Sequence, residues 1–545
     1  MKTNVSLCIV AALMVAACGD PSHRHNSGEK VSVINSTPDE VIEEDVEITS
    51  NEAALMEPSA NATSKMILSS PPQQRNAETY KEIKENSFVA VAQQPVTTFS
   101  ADVDRAAYAN VRRIIGYGQI PPKDAVRIEE MVNYFDYDYP TPEEGSASPL
   151  RVSPELAPAP WNPNHLLLRI GLQAKKIDLA KAPPSNIVFL IDVSGSMDEE
   201  NKLPLLKSSF KMLLGQLRPD DKIAIVTYAN GTKVALPSTS VKDKEKIIKV
   251  LDNLYASGGT SGGRGIQLAY EQAQKSFIKN GNNRIILATD GDFNIGINNT
   301  TDLEKFIEKQ RESGIYMSVL GFGIGNYRDD MAETIADKGN GNYAYIDNIT
   351  EAKKVLVNEL SGTLFAVAKD VKLQLEFNPK YVKEYKLIGY ENRMLANEDF
   401  TNDKKDAGEI GAGHTVTALY ELVPSDGKVA QSLRYQSQEL NEKGKGNELG
   451  FLKIRYKDPK VKDAKSVEIT EPLVFNKKAL KETSTDYRFA ASVAEFGILL
   501  RDNSNKANAT YDQVIELAEG AIGKDPEGYR KEFVRLVKSV KMLPK

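Results

Sequence analysis

Asp192, Ser194 and Ser196 stand at alternate positions in Asp192-Val193-Ser194-Gly195-Ser196-Met197, directly after the apolar run Ile187-Val188-Phe189-Leu190-Ile191. One carboxylate and two hydroxyls at this spacing offer only oxygen, which suits a hard divalent cation such as Mg2+ or Mn2+. Gly195 lets the loop turn tightly enough for both hydroxyls to face one centre. Two later segments extend the set. Thr260 follows Gly258-Gly259 in a glycine-rich loop and adds a hydroxyl, and Asp290 follows another apolar run in Thr289-Asp290-Gly291-Asp292. In an open parallel sheet, ligands bind at the carboxyl ends of the strands, where all three segments fall. Two carboxylates and three hydroxyls do not saturate an octahedral cation with anionic ligands, so water or a partner's carboxylate can take an open position. No general base or nucleophile accompanies the set, so binding rather than catalysis is expected.

Other chemistries fit less well. A phosphatase with an Asp at the end of its first strand needs a second carboxylate two residues on, where this chain has Ser194. A dinucleotide site wants GxGxxG after the first strand; Gly321-Phe322-Gly323-Ile324-Gly325-Asn326 follows a late strand and reads as a turn on the sheet's rim. No GxxxxGK[ST] run is present. The four histidines, His23, His25, His165 and His414, are scattered and lack zinc-site spacing. A formal net charge of −6 excludes a general electrostatic grip on nucleic acid.

The elements that must position these residues follow from periodicity. Residues 187–193, 222–228, 284–289, 316–322 and 342–346 read as strands, alternating with helices at 203–217, 242–254, 265–279, 301–313, 331–338 and 350–368. Such alternation means a mostly parallel, doubly wound sheet with helices on both faces. Thr301-Asp302-Leu303-Glu304 reads as a capping box. Before this unit, order begins near Phe99, with helices at 104–116 and 121–135 and strands at 150–154 and 165–173. After Lys369 a period of two takes over at 370–377, 381–390, 413–423, 449–456 and 465–470, which predicts an antiparallel sheet or sandwich. The chain turns helical again from Ser484, with a capping box at Thr510-Tyr511-Asp512-Gln513 and an N-cap at Asp525-Pro526.

The order DxSxS, then Thr, then Asp resembles the metal-ion-dependent adhesion site of von Willebrand factor type A (VWA) domains, each part matched here by Asp192, Ser194, Ser196, Thr260 and Asp290. The resemblance covers roughly residues 184–365. It implies a Rossmann-like α/β fold, a divalent cation (Mg2+ favoured, Mn2+ or Ca2+ compatible) and a protein partner presenting Asp or Glu. Residues 99–104 and 125–135 look like the N-terminal extension of a group of bacterial VWA lipoproteins, and residues 407–420 like their C-terminal domain of unknown function. A VWA unit begins and ends on the same side of its sheet. The flanking strands, 165–173 before and 370 onward after, are therefore expected to form one antiparallel β domain into which the VWA unit is inserted. An envelope scaffold is the rival expectation, its metal site filled from within by Asp102, Asp104, Asp136 or Asp138; a metal-dependent hydrolase is the more distant one.

The N-terminus sets the expected address. Met1-Lys2 and the apolar run 5–17 form a short signal segment ending in Val15-Ala16-Ala17-Cys18-Gly19. Small residues before a cysteine resemble the bacterial lipobox, which implies acylation at Cys18, a cell-envelope location through a lipid anchor and, with no Asp directly after the cysteine, the outer membrane. Cys8 lies in the removed segment, so no disulfide is expected. Residues 18–95 are rich in Ser, Asn, Glu, Thr and Pro and read as a disordered tether of roughly 50 Å end to end, with a transient helix near 77–85. The expected plan is a signal segment at 1–17, the tether at 18–95, the N-terminal extension at 96–183, the VWA unit at 184–368, the β domain at 369–480 and C-terminal helices at 481–545. Wild-type protein is expected to fractionate with membranes, and Cys18→Ser to be released or left as a precursor. Processed Cys18→Ser protein that stays wholly with salt-washed membranes would count against the anchor, because stable anchoring needs the acyl chains.

Overall fold

The computed structural model describes residues 78–102, 104–260, 262–291, 300–325, 327–426, 446–461, 464–502 and 506–544. Cys18, the signal segment and the tether as far as residue 77 lie outside these. The expected tether ends earlier than Pro95. Residues 78–95 are bound by polar contacts that leave no hydrophobic period in the sequence: Thr79 N–H donates to Tyr327 O at 3.1 Å, and Asn86 Nδ2 donates to Leu387 O and Gly389 O at 3.0 and 2.9 Å. No helix forms at residues 78–85.

Strand β1 (Val89–Ala90) and strand β2 (Val96–Ser100) lead into helix α1 (Ala106–Gly116). The helix expected over 121–135 is broken into a 3-10 turn, Lys123–Ala125, and a short α2 (Ile128–Asn133), because Val126 and Arg127 are not helical, Arg127 being extended at φ −83°, ψ 103°. A hairpin of β3 (Leu150–Ala159) and β4 (Asn162–Ala174) follows.

The inserted α/β unit runs β5 (Ser185–Asp192), α3 (Leu203–Gln216), β6 (Lys222–Tyr228), β7 (Thr232–Ser240), α4 (Lys244–Asp252), α5 (Gly262–Lys275), β8 (Asn282–Thr289), α6 (Thr300–Arg311), β9 (Tyr316–Gly321), α7 (Asp329–Lys338) and β10 (Tyr343–Tyr345). Its sheet order is β10-β9-β8-β5-β6-β7, parallel except for β7. β5 is buried along its whole length, which is why it reads as a continuous apolar run. Ile187, Phe189 and Ile191 pack with Leu206, Phe210 and Leu213 on one face, while Val188 and Leu190 pack with Ile266 and Ala269 on the other.

The single helix expected at 350–368 is instead α8 (Ile349–Lys353), a π turn (Lys354–Asn358) and α9 (Leu360–Leu364). A buried ion pair between Lys354 and Glu359 spans the π turn. Phe365 is already extended, and Ala366 opens the next strand. That region holds β11 (Ala366–Phe377), β12 (Val382–Ile388), β13 (Gly408–Gly411), β14 (Thr415–Pro424), β15 (Glu448–Lys457) and β16 (Val467–Val474). One sheet is β1-β12-β14-β4-β3; the other is β13-β11-β15-β16, with β2 on β11. Leu168, Ile170 and Leu172 of β4 share a core with Leu373 and Leu375 of β11 and Leu452 and Ile454 of β15. β4 precedes the α/β unit and sits between β14, which follows it, and β3. The unit is therefore an insertion in an antiparallel β domain, as the sequence suggested. Helices α10 (Thr485–Leu500), α11 (Tyr511–Glu519) and α12 (Tyr529–Met542) pack with α1 and α2 around Tyr108, Phe135, Phe489 and Phe533. Thr510 caps α11, its hydroxyl accepting from Gln513 N–H at 3.1 Å. Asp525 does not cap at Pro526; its carboxylate accepts from Arg530 and Lys531 N–H, at 3.2 and 3.1 Å, where α12 begins.

A buried charge cluster ties the three parts together. Arg393, from the β domain, meets Asp102 (3.1 Å) and Asp104 (3.2 Å) of the N-terminal extension and Glu333 (3.5 Å) and Asp337 (2.6 Å) of α7. Arg127 pairs with Asp329 at 2.5 Å and with Glu130. Glu333 is almost wholly buried and has one oxygen without a partner. Burial pushes its carboxyl up to about 7; Arg127 and Arg393 oppose this, and Asp337 and Glu130 add to it. A raised folded-state value means the folded protein binds more protons than the unfolded chain between about pH 5 and about pH 7. Stability from this group is present at the acid end of that window and lost as pH rises through it. Denaturant unfolding across this range should show wild type losing stability relative to Glu333→Gln, by up to about 1.4 kcal/mol per pH unit. Parallel curves for the two proteins would rule out this contribution.

Candidate metal centre

The end of β5 delivers Asp192 to the carboxyl edge of the sheet, fully buried. Val193 N–H is held by Tyr228 O at 3.0 Å, and the chain then turns. Ser194 N–H donates to Asp192 Oδ1 at 2.8 Å, and the Ser194 and Ser196 hydroxyls lie 3.0 Å apart. Gly195 N–H donates to Gly258 O at 2.8 Å, and a Cβ at position 195 would stand only 3.3 Å from that oxygen. The glycine is thus a close-approach residue between two loops.

The second loop is fixed by the same contacts. Ser257 N–H donates to Val193 O at 2.8 Å. Gly258 has φ +78°, and a Cβ there would lie 2.3 Å from Asn230 Nδ2; Gly259 N–H donates to Asn230 Oδ1. Thr260, half-buried, follows this braced glycine pair. In the third segment β8 delivers Asp290, also buried. Gly291, at φ +87°, donates its N–H to Thr289 Oγ1 at 3.1 Å, and a Cβ there would lie 2.6 Å from Arg328 N.

Lys202 joins the loops. Its ammonium donates to Ser196 O at 2.9 Å and to Asp290 Oδ2 at 3.3 Å, and reaches Glu199 at 3.3 Å. Asp192, Ser194 and Ser196 are thus in one turn and Asp290 is linked to it through Lys202; of the Thr260 loop, Gly258 is the residue in contact, through Gly195. Sequence reasoning missed Lys202 and Asn230. Lys202 lies in the polar run Asp198-Glu199-Glu200-Asn201-Lys202, which looks like a solvated surface, and Asn230 looks like an ordinary turn residue before Gly231.

The set fits a divalent cation on an observation independent of the motif. Asp192 Oδ2 is buried and makes no hydrogen bond of good geometry, the nearby Tyr228 hydroxyl being likewise unsatisfied, and such a poorly met acceptor is costly unless a cation or a better-placed donor meets it. Burial pushes Asp192 up to about 7 despite its bonds to Ser194, and the Asp290 charge adds to the rise. Among the described residues no three His, Cys, Asp or Glu side chains converge as a metal site; this set has two carboxylates and draws its other oxygens from hydroxyls. Gly259-Thr260-Ser261-Gly262-Gly263 also spells GxSxG, but it does not directly follow a strand, and Ser261 lies outside the described residues. Gly321 ends β9 and residues 322–325 bend away beyond it, in line with a turn on the sheet's rim. At φ +80°, Gly323 leaves room for the lysine stem, since a Cβ there would be 2.3 Å from Lys202 Cε.

Sheet and site together define a VWA-type domain, and residues 186–358 match the family model of the von Willebrand factor type A domain. Residues 74–169 match a von Willebrand factor model, and residues 362–543 match the model "Uncharacterized protein YfbK, C-terminal". The chain belongs to the YfbK family: it is 48% identical over 465 residues to the uncharacterized protein YfbK of Escherichia coli (strain K12), across 84% of this chain and 80% of that one. It is also 26% identical over 326 residues to the uncharacterized protein sll0103 of Synechocystis sp., across 60% of this chain and 74% of that one. Among solved structures, a von Willebrand factor type A protein from Catenulispora acidiphila covers 84% of this chain and 91% of its own, at 14% identity and a TM-score of 0.40.

Asn230→Ala removes the side-chain brace under Gly258 and Gly259. Hydrogen exchange should quicken at residues 257–260, by the equivalent of about 1–2 kcal/mol of lost protection, and stay unchanged in β5. Unchanged exchange in that loop would show that the brace is dispensable.

Proposed function

We propose that this protein is a metal-dependent binding protein of the cell envelope, anchored by lipid at Cys18, whose VWA unit captures an Asp or Glu side chain of a protein partner. The outer membrane is the favoured location and Mg2+ the favoured ion, with Mn2+ or Ca2+ compatible. The observation that carries the reading is the buried, unsatisfied Asp192 Oδ2 beside two hydroxyls 3.0 Å apart. Asp192, Ser194, Ser196, Thr260 and Asp290 would hold the ion. When bound, the ion supplies a Lewis-acidic position for an oxygen ligand. The chain's own residues do the rest: Ser194 N–H orients Asp192, the Gly195–Gly258 bond closes the two loops on one another, and Lys202 fixes Asp290.

The scaffold reading, with an internal carboxylate in the site, has less support, since its candidates make other contacts. Asp102 and Asp104 are engaged by Arg393, and Asp104 also accepts from Tyr343 N–H at 2.8 Å, at the amino end of β10. Asp138 pairs with Lys524 at 3.0 Å, and Asp136 lies 4.0 Å from Arg105. No helix among the described residues is long and apolar enough to cross a membrane, so the reading rests anchoring on Cys18.

Calorimetry with Mg2+ should give one site in wild type and none in Asp192→Ala or Asp290→Ala. Both variants should keep their circular dichroism, because the residues sit at the carboxyl edge of the sheet and belong to none of its apolar clusters. Unchanged affinity in both would remove this site. Envelope protein retained by the wild type, eluted by chelator and not retained by Asp192→Ala is the expected partner signature.

A further inference from the structure

Lys202 is an unusual neighbour for a cation site. It is almost wholly buried, and its backbone at the start of α3 is neither helical nor regularly extended, with φ −117° and ψ −109°. The stem runs against Gly323, where any side chain would collide with it. That glycine is itself held, since the Tyr345 hydroxyl donates to its carbonyl. The ammonium then has three oxygen neighbours: Ser196 O, Asp290 Oδ2 and Glu199 Oε1. A surface lysine would be mobile and strongly hydrated. This one is built in by three segments that are distant in sequence.

We propose that Lys202 is a resident counter-cation of the metal centre: it shares Asp290 with the bound divalent ion and leaves the loaded site with one surplus positive charge, which a single partner carboxylate neutralises. The inference rests on the metal reading above. Its basis is charge counting over the described buried groups around the ammonium. A divalent ion with Asp192 and Asp290 is neutral, and Lys202 raises the total by one. Glu199 is more than half exposed, so its charge is screened by solvent and offsets little of this. A neutral loaded site would have no electrostatic preference between water and an anion, whereas a singly positive one prefers the anion. The same charge weakens the metal, because two cations compete for one Asp290 carboxylate. Lys202 thus trades metal affinity for ligand selectivity while keeping the Ser196 turn in place through its bond to the Ser196 carbonyl.

The test uses the full chain in detergent and Mn2+ as probe, with free Mn2+ read by electron paramagnetic resonance. The titration is run with acetate or with chloride at matched ionic strength. Lys202→Met and Lys202→Gln remove the charge, and Gln keeps a donor for Ser196 O. Lys202→Arg keeps the charge. Both neutral variants are expected to bind Mn2+ about tenfold more tightly, the order produced by removing one nearby unit charge. In wild type and Lys202→Arg, acetate should tighten Mn2+ binding, since ligand and metal binding are linked; in the neutral variants this effect should shrink or vanish. Circular dichroism and melting confirm that each variant is folded. Folded neutral variants that bind Mn2+ no more tightly than a binding-competent wild type overturn the role of Lys202 and leave the metal centre standing. A wild type that takes up no Mn2+ overturns the metal reading, and this inference with it.

Discussion

Two carboxylates, Asp192 and Asp290, end adjacent parallel strands and are both buried. Burying like charges side by side is expensive unless each is met by donors or cations. The loops around them are shaped by that requirement. Asp192 Oδ1 is met by the backbone N–H of Ser194, and this forces the turn that brings the two serine hydroxyls together. Asp290 is met by Lys202, which pulls the start of α3 over the site. Asp192 Oδ2 and the neighbouring Tyr228 hydroxyl are left unsatisfied. The unmet acceptor is the feature on which the proposed cation site rests.

The insertion puts stability and binding in different places. β4 and β14 pair over eight residues, and this pairing joins chain on both sides of the α/β unit. The flanking sheets therefore close around both ends of the unit. The charge cluster at Arg393 fastens α7 and the N-terminal extension to the same frame. The loops carrying Asp192 and Asp290 lie at the carboxyl edge of the inserted sheet, whereas Asp104 contacts the amino end of β10. Changes at the loops can alter binding without touching the cores that carry most of the apolar burial.

Much of this was legible in the sequence, for physical reasons. β5, β8 and β9 are buried on both faces and advertise themselves as apolar runs, so the parallel sheet and the residues at its carboxyl ends could be read directly. β4 alternates only in part; its membership in the flanking domain followed from the need of both ends of an inserted unit to return to one frame. What failed were elements held by polar contacts. Residues 78–88 lack hydrophobic period, yet Glu78, Thr79 and Asn86 bind them down through hydrogen bonds no pattern announces. The break at residues 354–358 depends on the Lys354–Glu359 pair, and the break before α2 on Arg127, whose partners Glu130 and Asp329 include one two hundred residues away in chain. Lys202 escaped notice because a lysine among acids looks solvated. Its role depends on the absence of a side chain at Gly323, which only the fold makes visible.

That glycine also connects the site to the N-terminal extension. The turn after β9 walls Lys202 through Gly323 and meets the Asp290 turn through the close approach of Gly291 to Arg328 N. Its other side is held from outside the α/β unit. Glu78, almost wholly buried, accepts from Gly325 N–H at 3.0 Å and pairs with Arg113 of α1 at 2.8 Å, while Thr79 bonds Tyr327 and its hydroxyl reaches Asp330 at 2.6 Å. A short chain of packed contacts therefore runs from the first described residues, through one turn, to both the counter-cation and the second carboxylate. Tyr327 of this turn is fully buried against Tyr345, and the external bonds add a polar hold from the N-terminal side. The N-terminal extension is thus part of the structure that holds the metal loops, and this accounts for its close association with the α/β unit in one folded body.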